Sequence, residues 1–124
     1  MDPMKALLDT HVVLWALGDD PRLSTAHRDL IGTAELYVSA ATLWEISIKR
    51  ALGKLVAPPD LETVLAEAGC RPLAITWRHG TLAGTLPPHH ADPFDRLLIA
   101  QSMIEALPLA TADARIRDYG IETV

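Results

Sequence analysis

The alternation of short apolar runs with segments of helical length leaves this chain few architectures. Residues 5–8, 35–38, 72–75, 109–111 and 121–124 read as strands, each short and mainly apolar and bounded by turn or cap signals. Helices are expected over residues 11–17, from a Ser24 cap to about residue 31, and over 40–52, 61–68, 76–86, 93–107 and 113–119. Gly18, Gly53, Gly69 and Gly120 close four of them, and Pro87 and Pro108 follow two others. Strands separated by helices pair in parallel, and a parallel sheet needs cover on both faces. The fold class is therefore α/β, a three-layer α/β/α arrangement around a central parallel sheet. The 124 residues carry no internal repeat, low-complexity tract or linker, so residues 1–124 read as a single domain.

In such folds ligands sit beyond the carboxyl ends of the strands, near the point where strand order reverses. Acidic residues stand at those exits. Asp9 directly follows the first strand, and Asp113 lies two residues beyond the 109–111 strand. Glu45 falls one to two turns into the helix after the 35–38 strand, and Asp95 lies in the first turn of the helix that leads into the 109–111 strand. That helix has the clearest start signal in the chain, Asp92-Pro93-Phe94-Asp95. Asp is a favoured N-cap and Pro a favoured first helical residue, so Asp92 is expected to bind backbone N–H groups. Asp95 is then freer to reach a site and is preferred as the ligand, with Asp92 as the alternative.

Each acid also has an ordinary use. Asp9 and Asp113 can cap the helices that follow them. Glu45 can pair with Lys49 one turn on, or complete a Thr42-x-x-Glu45 capping box, although Ser39 is the better helix start. Separate caps do not explain why four acids fall at one edge of a sheet. If their side chains converge to about 5 Å, each pair repels by roughly 3 kcal/mol at an effective dielectric of about 20. Six such pairs cost on the order of 20 kcal/mol, more than an ordinary domain's stability. No lysine follows a strand in a position to help, so protonation or bound cations must relieve the charge. An all-oxygen donor set selects a hard ion, Mg2+ or Mn2+, and the matching chemistry is hydrolysis of a nucleic-acid strand.

The net charge of −5 runs against nucleic-acid binding, which usually relies on clustered Lys and Arg. Four carboxylates gathered in one metal site account for much of that excess, and bound cations reverse it locally. Lys49, Arg50, Lys54 and Arg96 are candidate phosphate contacts, weighed against solvated surface. Cys70 is the single cysteine and has no internal partner, which fits a reducing compartment. No apolar run reaches membrane-spanning length and no signal-peptide pattern is present, so a cytoplasmic protein with no membrane association is expected. His89-His90 has no Cys or His at zinc-ligand spacing and reads as loop. Trp15 and Trp44 lie in apolar helices and are expected in the core. For Trp77, beside Arg78 and His79, partial burial is favoured over base stacking.

Four segments together resemble the PIN domain family: Leu7-Leu8-Asp9-Thr10-His11, Trp44-Glu45-Ile46-Ser47, His90-Ala91-Asp92-Pro93-Phe94-Asp95-Arg96-Leu97-Leu98-Ile99-Ala100-Gln101, and Thr111-Ala112-Asp113. More narrowly they are similar to VapC-type toxins of bacterial type II toxin–antitoxin pairs. The order and spacing fit across essentially the whole chain, apart from Met1-Asp2-Pro3, with Met4 where the family-like sequence begins. The resemblance implies a Mg2+-dependent endoribonuclease that cuts RNA, commonly tRNA or rRNA, and a homodimer inhibited by a small antitoxin. It implies Asp9 and Asp95 as metal ligands, with Glu45 and Asp113 completing the catalytic set and the Thr10 and Thr111 hydroxyls supporting them. The acidic pocket would also attract an antitoxin arginine. A housekeeping RNA-processing nuclease and an inactive RNA- or partner-binding PIN module are the alternatives. A phosphotransferase of the haloacid-dehalogenase kind needs a second acid where His11 stands. A receiver-like module needs an acidic pair and a late lysine that are both missing.

Overall fold

Ala6, Leu7 and Leu8 are almost wholly removed from solvent, so β1 (Lys5–Leu8) needs a partner on each edge and cover on each face. A computed structural model describes residues 3–124 of the chain, and Met1 and Asp2, set apart from the family-like pattern above, lie outside them. β2 (Glu35–Ser39) pairs with β1 on one side, with Leu7 opposite Tyr37, and β4 (Leu109–Ala110) pairs on the other, with Leu7 opposite Leu109. β3 (Arg71–Leu73) lies outside β2, giving the order β3-β2-β1-β4, parallel throughout. The order reverses beside β1, and Asp9 is the residue that leaves it there.

Helices fill the crossovers: α1 (Thr10–Leu17), α2 (Thr25–Thr33), α3 (Ala40–Ala51), α4 (Leu61–Glu67), α5 (Trp77–Thr85), α6 (Pro93–Glu105) and α7 (Ala114–Arg117). Side chains alternate across a strand. Ala6 and Leu8 pack with Val12, Leu30, Ile46 and Leu61, whereas Leu7 packs with Leu98, Ile99, Leu109 and Ile116. These are the two apolar layers of a covered sheet, and the α/β/α expectation holds. Ser24 and Ser39 cap α2 and α3 through His27 N–H and Ala41 N–H. Among the described residues, no helix is long and apolar enough to cross a membrane.

Four expectations need correction. Residues 121–124 do not form a full strand: one parallel bridge joins Thr123 to Leu109. β4 has only two residues before Thr111 turns toward the site, so a neighbour finds little ladder to join. β3 spans Arg71–Leu73 rather than 72–75, with Pro72 tolerated because this is an edge strand. Trp44 is 59% exposed and Trp77 is 95% exposed, so neither is buried as expected. On α3 the inward positions belong to Thr42, Glu45 and Ile46, which turns Trp44 outward.

Candidate active site

At the end of β1, Asp9 serves two partners. Its Oδ1 accepts the Val12 amide at 2.8 Å and caps α1, while Oδ2 accepts the hydroxyl of Thr111. Thr111 directly follows β4, and its Oγ1 also accepts the amide of Asp113 at 3.0 Å. One hydroxyl therefore ties together the exits of two adjacent strands. Burial raises the pKa of Asp9, although Thr111 and the Val12 amide pull it back down. Thr10, expected to support an acid, shares a hydrogen bond with Thr42 instead, at 3.2 Å.

Glu45 is carried inward by α3 and is only 4% exposed. The i,i+4 partner foreseen for it is present, with Lys49 Nζ 2.6 Å from Oε2. The other carboxylate oxygen, Oε1, is buried and has no hydrogen-bond partner. Such an atom is costly to bury unless something else binds it.

Asp92 is the cap that the sequence suggests. Its Oδ1 accepts the amides of Phe94 at 2.8 Å and Asp95 at 3.1 Å, which leaves the Asp95 carboxylate free of that duty. The Asp95 pKa is pushed up to about 7, first by burial, then by the charges of Asp92, Glu45 and Asp9, against the opposing influence of His90. Asp113 goes the other way. Its side chain caps α7, and hydrogen bonds from the Arg115 side chain and amide, with one from His90, hold its carboxyl down at about 2.

The arrangement brings the four acids together. Asp9 and Glu45 lie within the electrostatic reach of Asp95, and His90 joins Asp95 to Asp113, with Nε2 at 3.1 Å and 3.0 Å from their Oδ2 atoms. Their mutual repulsion is smaller than four bare carboxylates would produce. The lysine that the strand ends lack arrives from α3: the Lys49 pKa is raised chiefly by Glu45, with Asp92 and Asp95 adding to the effect.

Two residues play parts that the sequence did not disclose. His90, placed correctly in the loop before α6, is nonetheless buried and set between two acids. Its one local signal is its position two residues ahead of the Asp92 cap. Arg96, a candidate phosphate contact, donates to the carbonyls of Ala83, Leu86, Pro87 and His90 and is fully engaged inside the protein. The exposed Trp44 meets the partly buried Phe94 edge to face at 5.3 Å, next in sequence to Glu45 and Asp95.

The donor chemistry fits a divalent cation. One buried Glu45 oxygen lacks a partner, and neighbouring carboxylates disfavour ionisation of Asp95. His90, Asp95 and Asp113 each offer an atom within 4.8 Å of the others. A set dominated by carboxylate oxygens suits Mg2+ or Mn2+ better than a soft metal.

The fold is similar to that of VapBC2 from Rickettsia felis bound to a DNA fragment from its promoter, with a TM-score of 0.69 and 14% identity over 97% of this chain and 96% of that one. It is also similar to FitAcB from Neisseria gonorrhoeae, with a TM-score of 0.62 and 19% identity over 97% and 96% of the two chains. A toxin–antitoxin complex from Klebsiella pneumoniae gives a TM-score of 0.62 and 18% identity over 87% and 86%. Comparison with curated protein sequences finds no match. The sequence model of the PIN domain matches residues 6–122, nearly the full length, and the chain belongs to the PIN domain family.

Proposed function

We propose that this chain is a single-domain, Mg2+-dependent endoribonuclease, with Mn2+ as a substitute, and the toxin of a type II toxin–antitoxin pair. The observation that carries the reading is the gathering of Asp9, Glu45 and Asp95, close enough that the first two add to the burial and the Asp92 charge that push the Asp95 carboxyl to about 7, with Asp113 joined through His90. Family membership supports nuclease chemistry. The toxin assignment draws support from neighbours of the same fold that are toxin–antitoxin complexes.

Asp9 and Asp95 would hold the ion, with Glu45 and Asp113 completing the site. A divalent ion bound there supplies activation of water and relief of charge on a phosphodiester. The protein's own groups keep the donors in order. Thr111 orients Asp9, Lys49 takes one oxygen of Glu45 and leaves Oε1 for a ligand, and Arg115 keeps Asp113 ionised. The substrate is RNA, with tRNA or rRNA the expected class. A small antitoxin and a second copy of the chain are the expected partners, and the cytoplasm the expected compartment.

Cleavage of labelled RNA should stop with EDTA, return with Mg2+ or Mn2+, and be absent in Asp95→Asn under all three conditions. Metal-independent cleavage, or full activity in Asp95→Asn, would refute the site. Growth arrest on expression, relieved by the adjacent small gene, tests the toxin role. Harmless expression of an active enzyme points instead to housekeeping RNA processing.

A further inference from the structure

His90, Asp95 and Asp113 have the geometry of a three-ligand metal site, yet the hydrogen bonds around His90 assign it another part. The loop that carries it is held from several directions. Arg96 donates to the carbonyls of Leu86, Pro87 and His90 at 2.7, 3.0 and 3.2 Å. The Tyr119 hydroxyl accepts the His90 amide at 2.8 Å and donates to Pro87 O at 2.7 Å. The ring is oriented as firmly: the Asp92 amide donates to Nδ1 at 3.1 Å, and that amide belongs to the residue capping α6.

The Asp92 N–H fills the Nδ1 lone pair, so the ring proton sits on Nε2. Nε2 is the atom that faces both carboxylates, at 3.1 Å from Asp95 and 3.0 Å from Asp113. A nitrogen bearing a proton has no lone pair in the ring plane to give a cation. Ligation through Nε2 would move the proton to Nδ1, where it would meet the Asp92 N–H head on. We propose that His90 is a positioning residue: a fixed N–H donor that hydrogen-bonds Asp113, holds that carboxylate beside Asp95 for a divalent cation and stays outside the cation's coordination. This rests on the metal-site reading above.

The wild-type protein decides the question directly. Ring-nitrogen NMR of His90 should show the Nε2–H tautomer both without metal and with saturating Mg2+. Pulsed EPR of the Mn2+ complex should show no directly bonded imidazole nitrogen. His90→Ala should raise the Mn2+ dissociation constant by about 10- to 100-fold, and His90→Gln, which keeps an N–H donor, should recover most of that loss. A switch to the Nδ1–H tautomer on metal binding, a bonded nitrogen in the EPR, or unchanged Mn2+ affinity in His90→Ala would overturn the proposal while leaving the metal site standing. If His90→Ala does not fold, the two wild-type spectra and His90→Gln still decide. A wild-type protein that binds no Mn2+ removes the metal site and this role together.

Discussion

Thr111 Oγ1 donates a hydrogen bond to Asp9 Oδ2 across 102 residues of sequence, and through it the exits of β1 and β4 share one hydroxyl. Thr111→Val preserves shape but leaves a buried Asp9 oxygen and the Asp113 amide without this partner. The expected loss is about 1–3 kcal/mol in urea unfolding, with Thr111→Ser losing less. Mn2+ affinity should fall as well, because the lost donor lets the Asp9 pKa rise further. An unchanged unfolding midpoint would show that the link contributes nothing.

Asp9→Asn and Asp9→Ala should separate folding from catalysis. Asparagine caps a helix about as well as aspartate, so Asp9→Asn should unfold close to wild type while losing RNA cleavage. Asp9→Ala should lose cleavage and also about 1–3 kcal/mol of stability, because the Val12 amide and the buried Thr111 hydroxyl both lose their acceptor. Equal stability of the two variants would count against the capping role.

Asp95 makes the metal-free protein sensitive to pH. Its pKa rises from 3.8 to about 7 in the folded chain, so between those values the folded state holds a proton that the unfolded chain releases. This contribution to stability is complete below about pH 4 and is lost as the pH rises through 7. In EDTA, Asp95→Asn should therefore melt above wild type at pH 8, with the advantage vanishing near pH 4. A constant difference in melting temperature across that range would contradict the assignment.

Cys70, half-buried between α4 and β3, has its thiol pKa pushed up by burial. At pH 8 iodoacetamide should modify it more slowly than a free thiol, and urea should abolish the difference. Labelling of the folded protein at the free-thiol rate would show that the site is open.

Much of the candidate site was legible because it rests on local rules. Asp92 followed by Pro93 announces a cap, and the cap releases Asp95. Asp9 and Asp113 stand where short apolar strands end. Glu45 was harder to place, since periodicity assigns an inward helical position to an apolar side chain, and the same rule sent Trp44 to the core in error. Which face of α3 meets the sheet depends on β1 and β2, and the spacing along α3 does not carry that information. His90 was illegible as a site residue because its partner Asp113 lies 23 residues away, and only the folded loop brings them together. Arg96 looked available to phosphate for the same reason: the carbonyls that occupy it belong to the chain's own return from α5.

Asp9 and Asp113 each hold a helix start by accepting backbone amides, whereas Glu45 caps nothing and keeps one oxygen bare inside the protein. The acids therefore differ in what would keep them if catalysis were abandoned. A descendant that turned to binding alone would retain the two aspartates for folding and would discard the glutamate early, because a bare buried oxygen weakens a protein with no ion to receive. Among sequences built on this plan, the residue at the Glu45 position should separate working enzymes from silent ones better than the aspartates do.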